Sequence, residues 1–205
     1  MGQNQNKQLK KQKQNSIRVD LNDTALIEDL SNNSQQNITR IEFRQNNSQQ
    51  FDDKQLLQTA AVLKNCKDIT QLCLYFHLRY HREENIGIQA QRSLQSALIN
   101  CQNLNCLTIA LNKLDLIEGD SSLIIALQNL KKLVKCVFLL DNCMNDSAAK
   151  NIGIQLQKCS NILFLNIFIH YGSKNIRALE YTEKGRVQLK RRMIKMKRLV
   201  QHNNK

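Results

Sequence analysis

The sequence predicts an α/β solenoid in which short parallel strands line a concave face and helices cover the convex face. The first reason is a pattern of the form apolar-x-x-apolar-x-apolar, which occurs five times. Its copies start 29 to 35 residues apart, at Ile38, Ile69, Leu104, Leu133 and Ile162. A period of this length indicates stacked strand–helix units rather than one closed core.

The second reason is a pair of apolar columns that precede the strand pattern by three and six residues. From the second copy onward these columns hold Cys66, Cys101, Leu130 and Cys159, and Leu63, Leu98, Leu127 and Leu156. Apolar residues at steps of three and four form one face of a helix. Each unit is therefore a short strand followed by a helix that ends just before the next strand.

The copy from Leu104 to Asn112, LNCLTIALN, shows the repeat most completely. In this frame the chain from Gln14 to Tyr171 resembles a leucine-rich repeat protein of the ribonuclease-inhibitor-like type. The resemblance implies a right-handed horseshoe with convex helices of about ten residues. Departures from the pattern are His77, Asp141 and His170 at the asparagine position and Cys136 at a leucine position. They interrupt the expected asparagine ladder without changing the predicted fold.

Composition limits the number of domains, the role of the cysteines and the cellular compartment that can be expected. The 205 residues suffice for one domain, and the net charge is +13. The seven cysteines form no C-x-x-C pair and no zinc-ligand spacing, so most are expected to be small buried hydrophobes. Their odd number, with no recognisable signal peptide, predicts a reducing compartment, the cytoplasm or the nucleus. No stretch of the sequence approaches the length of a membrane span.

Three segments are predicted along the chain. Residues 1–13 form a disordered basic tail, residues 14–171 hold the repeats, and residues 172–205 form a basic C-terminal capping helix. The repeats comprise about five copies plus a degenerate N-terminal one that places Ile17 and Val19 in a strand. Helices are expected near residues 26–30, 52–64, 89–100, 121–131 and 146–158, with Asp120 and Asp146 at N-cap positions.

Strand alternation sends the residues between the apolar anchors outward to the concave face. These residues are charged in the first copy and mostly apolar in the last two. Those predicted to bind a protein partner are Arg40, Arg44, Tyr75, Lys135, Val137, Leu139, Phe164 and Phe168. Exposed apolar patches mark interaction sites. The alternative is that the C-terminal segment folds back and covers part of this patch.

Two histidines are candidate metal ligands by their spacing. His77 and His81 have the i, i+4 spacing of metal pairs on helices. Here one falls in the asparagine column and the other in the following loop, which favours hydrogen bonding. The sequence predicts no metal site and no cofactor.

The C-terminal segment from Lys184 to Gln201 carries an apolar stripe and a basic face. The stripe consists of Leu189, Met193, Met196 and Val200, and the basic residues are Lys190, Arg191, Arg192, Lys195, Lys197 and Arg198. One interpretation is a cap on the last repeat. The others are docking to an acidic protein or anionic membrane, or contact with nucleic-acid phosphates. Nucleic acid is disfavoured because only Tyr181 could stack on a base.

No catalytic residues are predicted, because the glycine-rich phosphate and dinucleotide motifs, the nucleophile elbow and the kinase signatures are absent. The predicted function is a non-catalytic scaffold that binds a protein partner through the concave face, with no small-molecule substrate. The alternative is a basic adaptor that docks through the C-terminal helix to an acidic partner, a membrane surface or nucleic acid. Inhibition of an enzyme is a third possibility, implied by the family resemblance alone.

Overall fold

A computed structural model of the chain describes residues 16–32, 37–45, 52–76, 87–112, 122–141, 146–170 and 187–191. Strands and helices alternate along these residues. The strands are β1 (Ser16–Asp20), β2 (Arg40–Arg44), β3 (Gln71–Phe76), β4 (Cys106–Asn112), β5 (Lys135–Asp141) and β6 (Phe164–His170). The helices are α1 (Thr24–Asn32), α2 (Asp53–Asn65), α3 (Ile88–Asn100), α4 (Ser122–Asn129) and α5 (Asp146–Leu156). Residues 187–191 are also helical.

The six strands lie in one parallel sheet in the order β1 to β6, so each repeat adds one strand next to the preceding one. The repeat frame sets the register. The second apolar position of every copy pairs with its neighbours, which aligns Ile41, Leu72, Leu107, Cys136 and Leu165. β1 occupies the segment where the sequence predicts a degenerate copy. The fold is therefore the α/β repeat solenoid expected from the sequence.

One backbone carbonyl in each repeat links it to the next. The carbonyl oxygen of Thr39 accepts hydrogen bonds from the N–H groups of Thr70 and Gln71, at 2.8 and 3.0 Å. The carbonyls of Thr70, Asn105 and Val134 bond in the same way to the following repeat. Because unpaired backbone groups are costly once water is excluded, this ladder holds each strand in register as it enters the sheet.

The helix ends also repeat. The N–H of Cys66 donates to the carbonyl of Leu63 at 3.2 Å. Equivalent bonds join Cys101 to Leu98, Leu130 to Leu127 and Cys159 to Leu156. These bonds span three residues and tighten the last turn. α4 and α5 end at Asn129 and Leu156, two residues before the predicted positions 131 and 158. Asp146 is the first residue of α5 rather than the residue before it, and Asp120 lies outside the described residues.

The core lies between the sheet and the helices. All three apolar positions of each strand pattern are buried, and so are both columns of apolar helix residues. Leu189, from the helical residues 187–191, belongs to the same cluster and is 1% exposed. The opposite side of the sheet is left for polar and partly exposed side chains.

Candidate protein-interaction surface

The outward-facing strand residues form three rows across the concave face. The rows follow from the strand register, which aligns the first, third and fifth residues of every strand. They are Ser16, Arg40, Gln71, Cys106, Lys135 and Phe164; Arg18, Glu42, Cys73, Thr108, Val137 and Asn166; and Asp20, Arg44, Tyr75, Ala110, Leu139 and Phe168. All eight residues predicted to bind a partner lie in these rows. Their role in binding stays a prediction.

Three arginines surround one buried carboxylate at the β1–β2 end of the concave face. Glu42 Oε1 lies 3.2 Å from Arg18 Nε and also contacts Arg44 Nε, and Glu42 Oε2 lies 3.7 Å from Arg40 Nη2. The side chain of Glu42 is 9% exposed, against 68%, 49% and 47% for Arg18, Arg40 and Arg44. We call these four residues the arginine cluster. It holds three positive charges with one negative charge beneath them.

Tyr75 extends the arginine cluster toward the centre of the sheet. The guanidinium carbon of Arg44 lies 5.0 Å from the centroid of the Tyr75 ring, within the range of a cation–π interaction. Burial and the nearby Cys73 and Glu42 raise the pKa of the Tyr75 hydroxyl. A hydrogen bond with the Cys73 side chain acts in the same direction, so the phenol stays protonated near neutral pH.

Small side chains occupy the middle of the concave face. Cys73, Cys106, Thr108 and Ala110 are all half-buried on β3 and β4. Burial raises the pKa of the Cys73 thiol, although a hydrogen bond with Thr108 and the charge of Arg40 act in the opposite direction. The two thiols face the same side of adjacent strands but are displaced by two residues in register. On β4 all three outward-facing side chains of these rows, Cys106, Thr108 and Ala110, are small, so a bound chain meets little steric obstruction at that strand.

The β5–β6 end of the concave face is apolar. Val137, Leu139 and Phe168 are half-buried, and Phe164 is 39% exposed. We call these four residues the apolar end. Lys135 is exposed beside Phe164 on the neighbouring strand. Aromatic side chains held on a rigid sheet supply large contact area while little conformational entropy is lost on binding.

The arginine cluster contains two residues that were not among the predicted binding residues. Strand alternation identifies Glu42 as outward-facing. Its burial was not predictable in this way, because it depends on arginines from two strands. Arg18 was missed because the first copy is degenerate. The repeat frame does indicate that Arg18 is equivalent to Glu42, since Arg18 stands four residues after Gln14 and Glu42 stands four residues after Ile38.

Several predicted residues fall outside the described part of the chain. They are His77 and His81, and from the basic helix Arg192, Lys195, Lys197 and Arg198. Lys190 and Arg191 are described and exposed, next to the buried Leu189. Among the described residues there is no group of three or more histidine, cysteine or acidic side chains arranged to hold a metal ion. The helices of that same part of the chain are too short or too polar to cross a membrane.

Comparison with known proteins supports the fold. The sequence matches no protein-family model, and no curated protein shows significant similarity to it. Among solved structures, the chain is similar to the one titled "Leiomodin-1 Actin-Binding Site 2 (ABS2)", with a TM-score of 0.52 and 14% sequence identity. The match covers 82% of this chain and 86% of that chain. At this identity the similarity concerns the fold alone, an open leucine-rich-repeat-like solenoid.

Proposed function

We propose that this chain is a non-catalytic scaffold that binds a protein partner through the concave face. The observation that carries the proposal is the composition of that face, with the arginine cluster at one end and the apolar end at the other. Aromatic and arginine side chains are the residues that most often dominate binding energy at protein interfaces. The strands hold these side chains in fixed rows, which limits the entropy lost on binding.

The structural neighbour gives limited support of the same kind. Its title describes an actin-binding site, so a similar fold binds a protein in that case. For this chain we infer a protein partner in general, without assigning its identity. Helices of 8 to 13 residues in α2 to α5 agree with a repeat of the ribonuclease-inhibitor-like type, which remains part of the proposal. We also propose a cytoplasmic location, since the six cysteines in the described residues are free thiols.

The test compares matched surface substitutions in the full-length tagged chain. Phe164→Ser and Phe168→Ser alter the apolar end, whereas Leu57→Ser alters a residue of α2 that is similarly exposed, at 43%. Proteins recovered with each version from the cells of origin are compared by quantitative mass spectrometry. We expect a specific partner to bind the wild type and the Leu57→Ser variant and to be lost, at least about tenfold, with the Phe variants.

Retention of every partner by the correctly folded Phe164→Ser, Phe168→Ser variant would contradict binding through the concave face. Circular dichroism and thermal unfolding establish that each variant is folded. The full chain is used because Leu189 contributes to the core, so removal of the C-terminal segment would expose apolar surface.

A second candidate is a basic adaptor that docks through the C-terminal segment. It is favoured by Lys190 and Arg191, which are exposed beside the buried Leu189 and could bind while the helix caps the core. Replacement of the six basic residues at 190–192, 195, 197 and 198 by Gln tests it. Partner loss in this variant, together with binding that weakens steeply with salt, would assign recognition to the C-terminal segment, and sensitivity to nuclease would identify nucleic acid as the partner.

A further inference from the structure

We propose that the arginine cluster is a preorganised carboxylate-binding site, and that the partner segment carries acidic side chains at one end and apolar side chains at the other. This inference rests on the proposed function, since it specifies the chemistry of the protein partner. Its first support is the charge imbalance. Glu42 is buried and shared by Arg18, Arg40 and Arg44, all of which remain about half exposed or more.

The position of Glu42 explains why the three guanidinium groups stay together. Like charges on adjacent strands repel one another, and the buried carboxylate offsets that repulsion from beneath. A guanidinium group carries five N–H donors, and each of these arginine side chains is about half exposed or more, so the contacts with Glu42 do not use the whole binding capacity of the three groups. A planar carboxylate of a partner matches the geometry of such N–H pairs and can accept two parallel hydrogen bonds from one arginine. Glu42 is thus a positioning residue, and the arginines are the binding residues.

Charge also distinguishes a protein partner from a nucleic acid. Asp20 and Glu42 lie in the same rows as the arginines, so the positive charge is confined to a small area and forms no continuous basic track for a polyanion at this end of the described sheet. Tyr75 is the one aromatic residue beside the cluster among the described residues, and its ring is already covered by Arg44. Nucleic acids need stacking platforms and a basic track, which this end of the surface lacks. Acidic side chains on a polypeptide need neither of these features, because the arginine cluster alone can bind them.

The distance between the two ends of the concave face sets the spacing in the partner. β2 and β6 are separated by four strand intervals, about 19 Å at about 4.8 Å each. A helical segment covers this distance in about 13 residues, and an extended segment in about six. Room for either a helical or an extended segment is left between the two ends, where the side chains are the half-buried Cys106, Thr108 and Ala110.

The experiment uses synthetic peptides and the full-length chain. One peptide has three Glu residues and a Leu-Phe-Phe group separated by about six residues, and a second has them about 13 apart within a helix-forming sequence. Matched peptides replace Glu by Gln or the apolar group by Ser. Fluorescence anisotropy measures binding. We expect at least one acidic–apolar peptide to bind about tenfold or more tightly than both of its matched controls.

Substitutions in the chain then locate the binding. Arg18→Gln with Arg40→Gln should weaken the acidic peptide about tenfold. Lys54→Gln with Lys64→Gln removes the same two charges from exposed positions of α2 and should leave binding unchanged. Glu42→Gln raises the net charge by one but releases the arginines. We therefore expect Glu42→Gln to weaken binding of the acidic peptide and to make that binding depend more steeply on salt. The added positive charge alone would instead strengthen binding.

The inference would be overturned if the Glu and Gln peptides bound equally well. It would also be overturned if the Arg18→Gln, Arg40→Gln variant and the Lys54→Gln, Lys64→Gln variant lost the same amount of binding. Stronger binding by a folded Glu42→Gln protein would overturn the positioning role. A single-stranded RNA oligonucleotide that binds the arginine cluster more tightly than the peptides would replace the acidic partner by nucleic acid. The cellular partner could be lost with the Phe variants and yet be retained by the Arg18→Gln, Arg40→Gln variant. That result would contradict this inference and leave the proposed function intact.

Discussion

Burial divides the six cysteines of the described residues into two groups. Cys66, Cys101, Cys136 and Cys159 are buried in the core, whereas Cys73 and Cys106 are half-buried on the concave face. Burial raises the pKa of Cys66 to about 11 and the pKa values of Cys101 and Cys159 to about 12. Since the thiolate is the reactive form, the buried thiols are inert near neutral pH.

Thiol labelling tests this division. In a Cys143→Ser background, which removes the one cysteine outside the described residues, we expect Ellman's reagent at pH 8 to modify Cys73 and Cys106 first. The four buried thiols should react at least about tenfold more slowly, because both access and thiolate fraction are low. Peptide mapping assigns the sites, and unfolding in urea gives the total. Labelling of Cys101 as fast as Cys106 would contradict the burial described here.

The raised thiol pKa values also predict loss of stability at alkaline pH. The folded pKa values of about 11 to 12 exceed the ordinary value of 9.0, so the folded state holds these protons more tightly than the unfolded chain. Their contribution is complete below pH 9 and is lost as the pH rises through 11 to 12. We expect the free energy of unfolding to fall by up to about 1 kcal/mol per buried thiol per pH unit above about 9.

Urea unfolding at pH 7.5 and pH 10 measures this effect. A Cys66→Ala, Cys101→Ala variant is the control, since it lacks two of the titrating groups and should lose less stability between the two pH values. An identical loss in the wild type and the variant would show that other groups cause the alkaline transition.

Helix starts show how polar side chains organise whole elements. At the start of α2, the N–H of Gln55 donates to Asp52 Oδ1 at 2.9 Å, and the Asp52 N–H donates to Gln55 Oε1 at 3.3 Å. This is a capping box. α3 begins differently, because its N-cap is Gly87 and no side chain caps it. The Gly87 N–H donates to Asp53 Oδ1 at 2.8 Å, so the first residue of α2 stabilises the entry to the next helix.

Asp52→Ala should therefore destabilise the protein by about 1 kcal/mol, the usual cost of losing an N-cap side chain. Lys54→Ala, an exposed position in the same first turn, is the control and should change stability by less than about 0.5 kcal/mol. Chemical unfolding measures both. A smaller loss for Asp52→Ala than for Lys54→Ala would show that the capping box contributes little in this helix.

Amide side chains link consecutive repeats. Gln128 Nε2 of α4 donates to Gln155 Oε1 of α5 at 2.9 Å. Asn103 Nδ2 donates to the Lys67 carbonyl at 3.3 Å, and Asn103 Oδ1 accepts from Lys132 Nζ at 2.7 Å. These bonds connect neighbouring units only. They suit a solenoid, whose stability is the sum of contributions from adjacent repeats.

For the molecule as a whole, the ends of the solenoid are the places where core residues lack a neighbouring repeat. Leu189 is buried in the same apolar cluster as the repeats, although it lies 19 positions beyond the end of β6 at His170. This burial agrees with the predicted capping role of the C-terminal segment. The division of the chain into tail, repeats and cap remains a prediction.

Leu189→Ala should lower the free energy of unfolding by about 2 to 5 kcal/mol, as for other buried leucines. The adjacent Lys190→Ala, which alters an exposed side chain, is the control and should have little effect. Differential scanning calorimetry or urea unfolding distinguishes them. Equal stability of the two variants would mean that Leu189 does not close the core.

The repeat frame made the strands, their order and the buried positions predictable from sequence. Leu104, Leu107 and Ile109 recur in phase with their counterparts, and a period of about 30 residues admits few folds other than a stack of strand–helix units. The same alternation identified Tyr75, Phe164 and Phe168 as outward-facing. These properties depend on local periodicity, which a sequence displays directly.

The tertiary structure decided two features, the arginine cluster and the place of Leu189 in the core. Glu42 is buried because Arg18 from β1 joins Arg40 and Arg44 around it. The repeat frame places Arg18 in the row of Glu42 but does not show that their side chains meet. Whether a polar side chain is buried depends on which neighbours satisfy it. Sequence periodicity determined which face each residue occupies, whereas contacts between distant strands determined which charges meet and what they leave exposed.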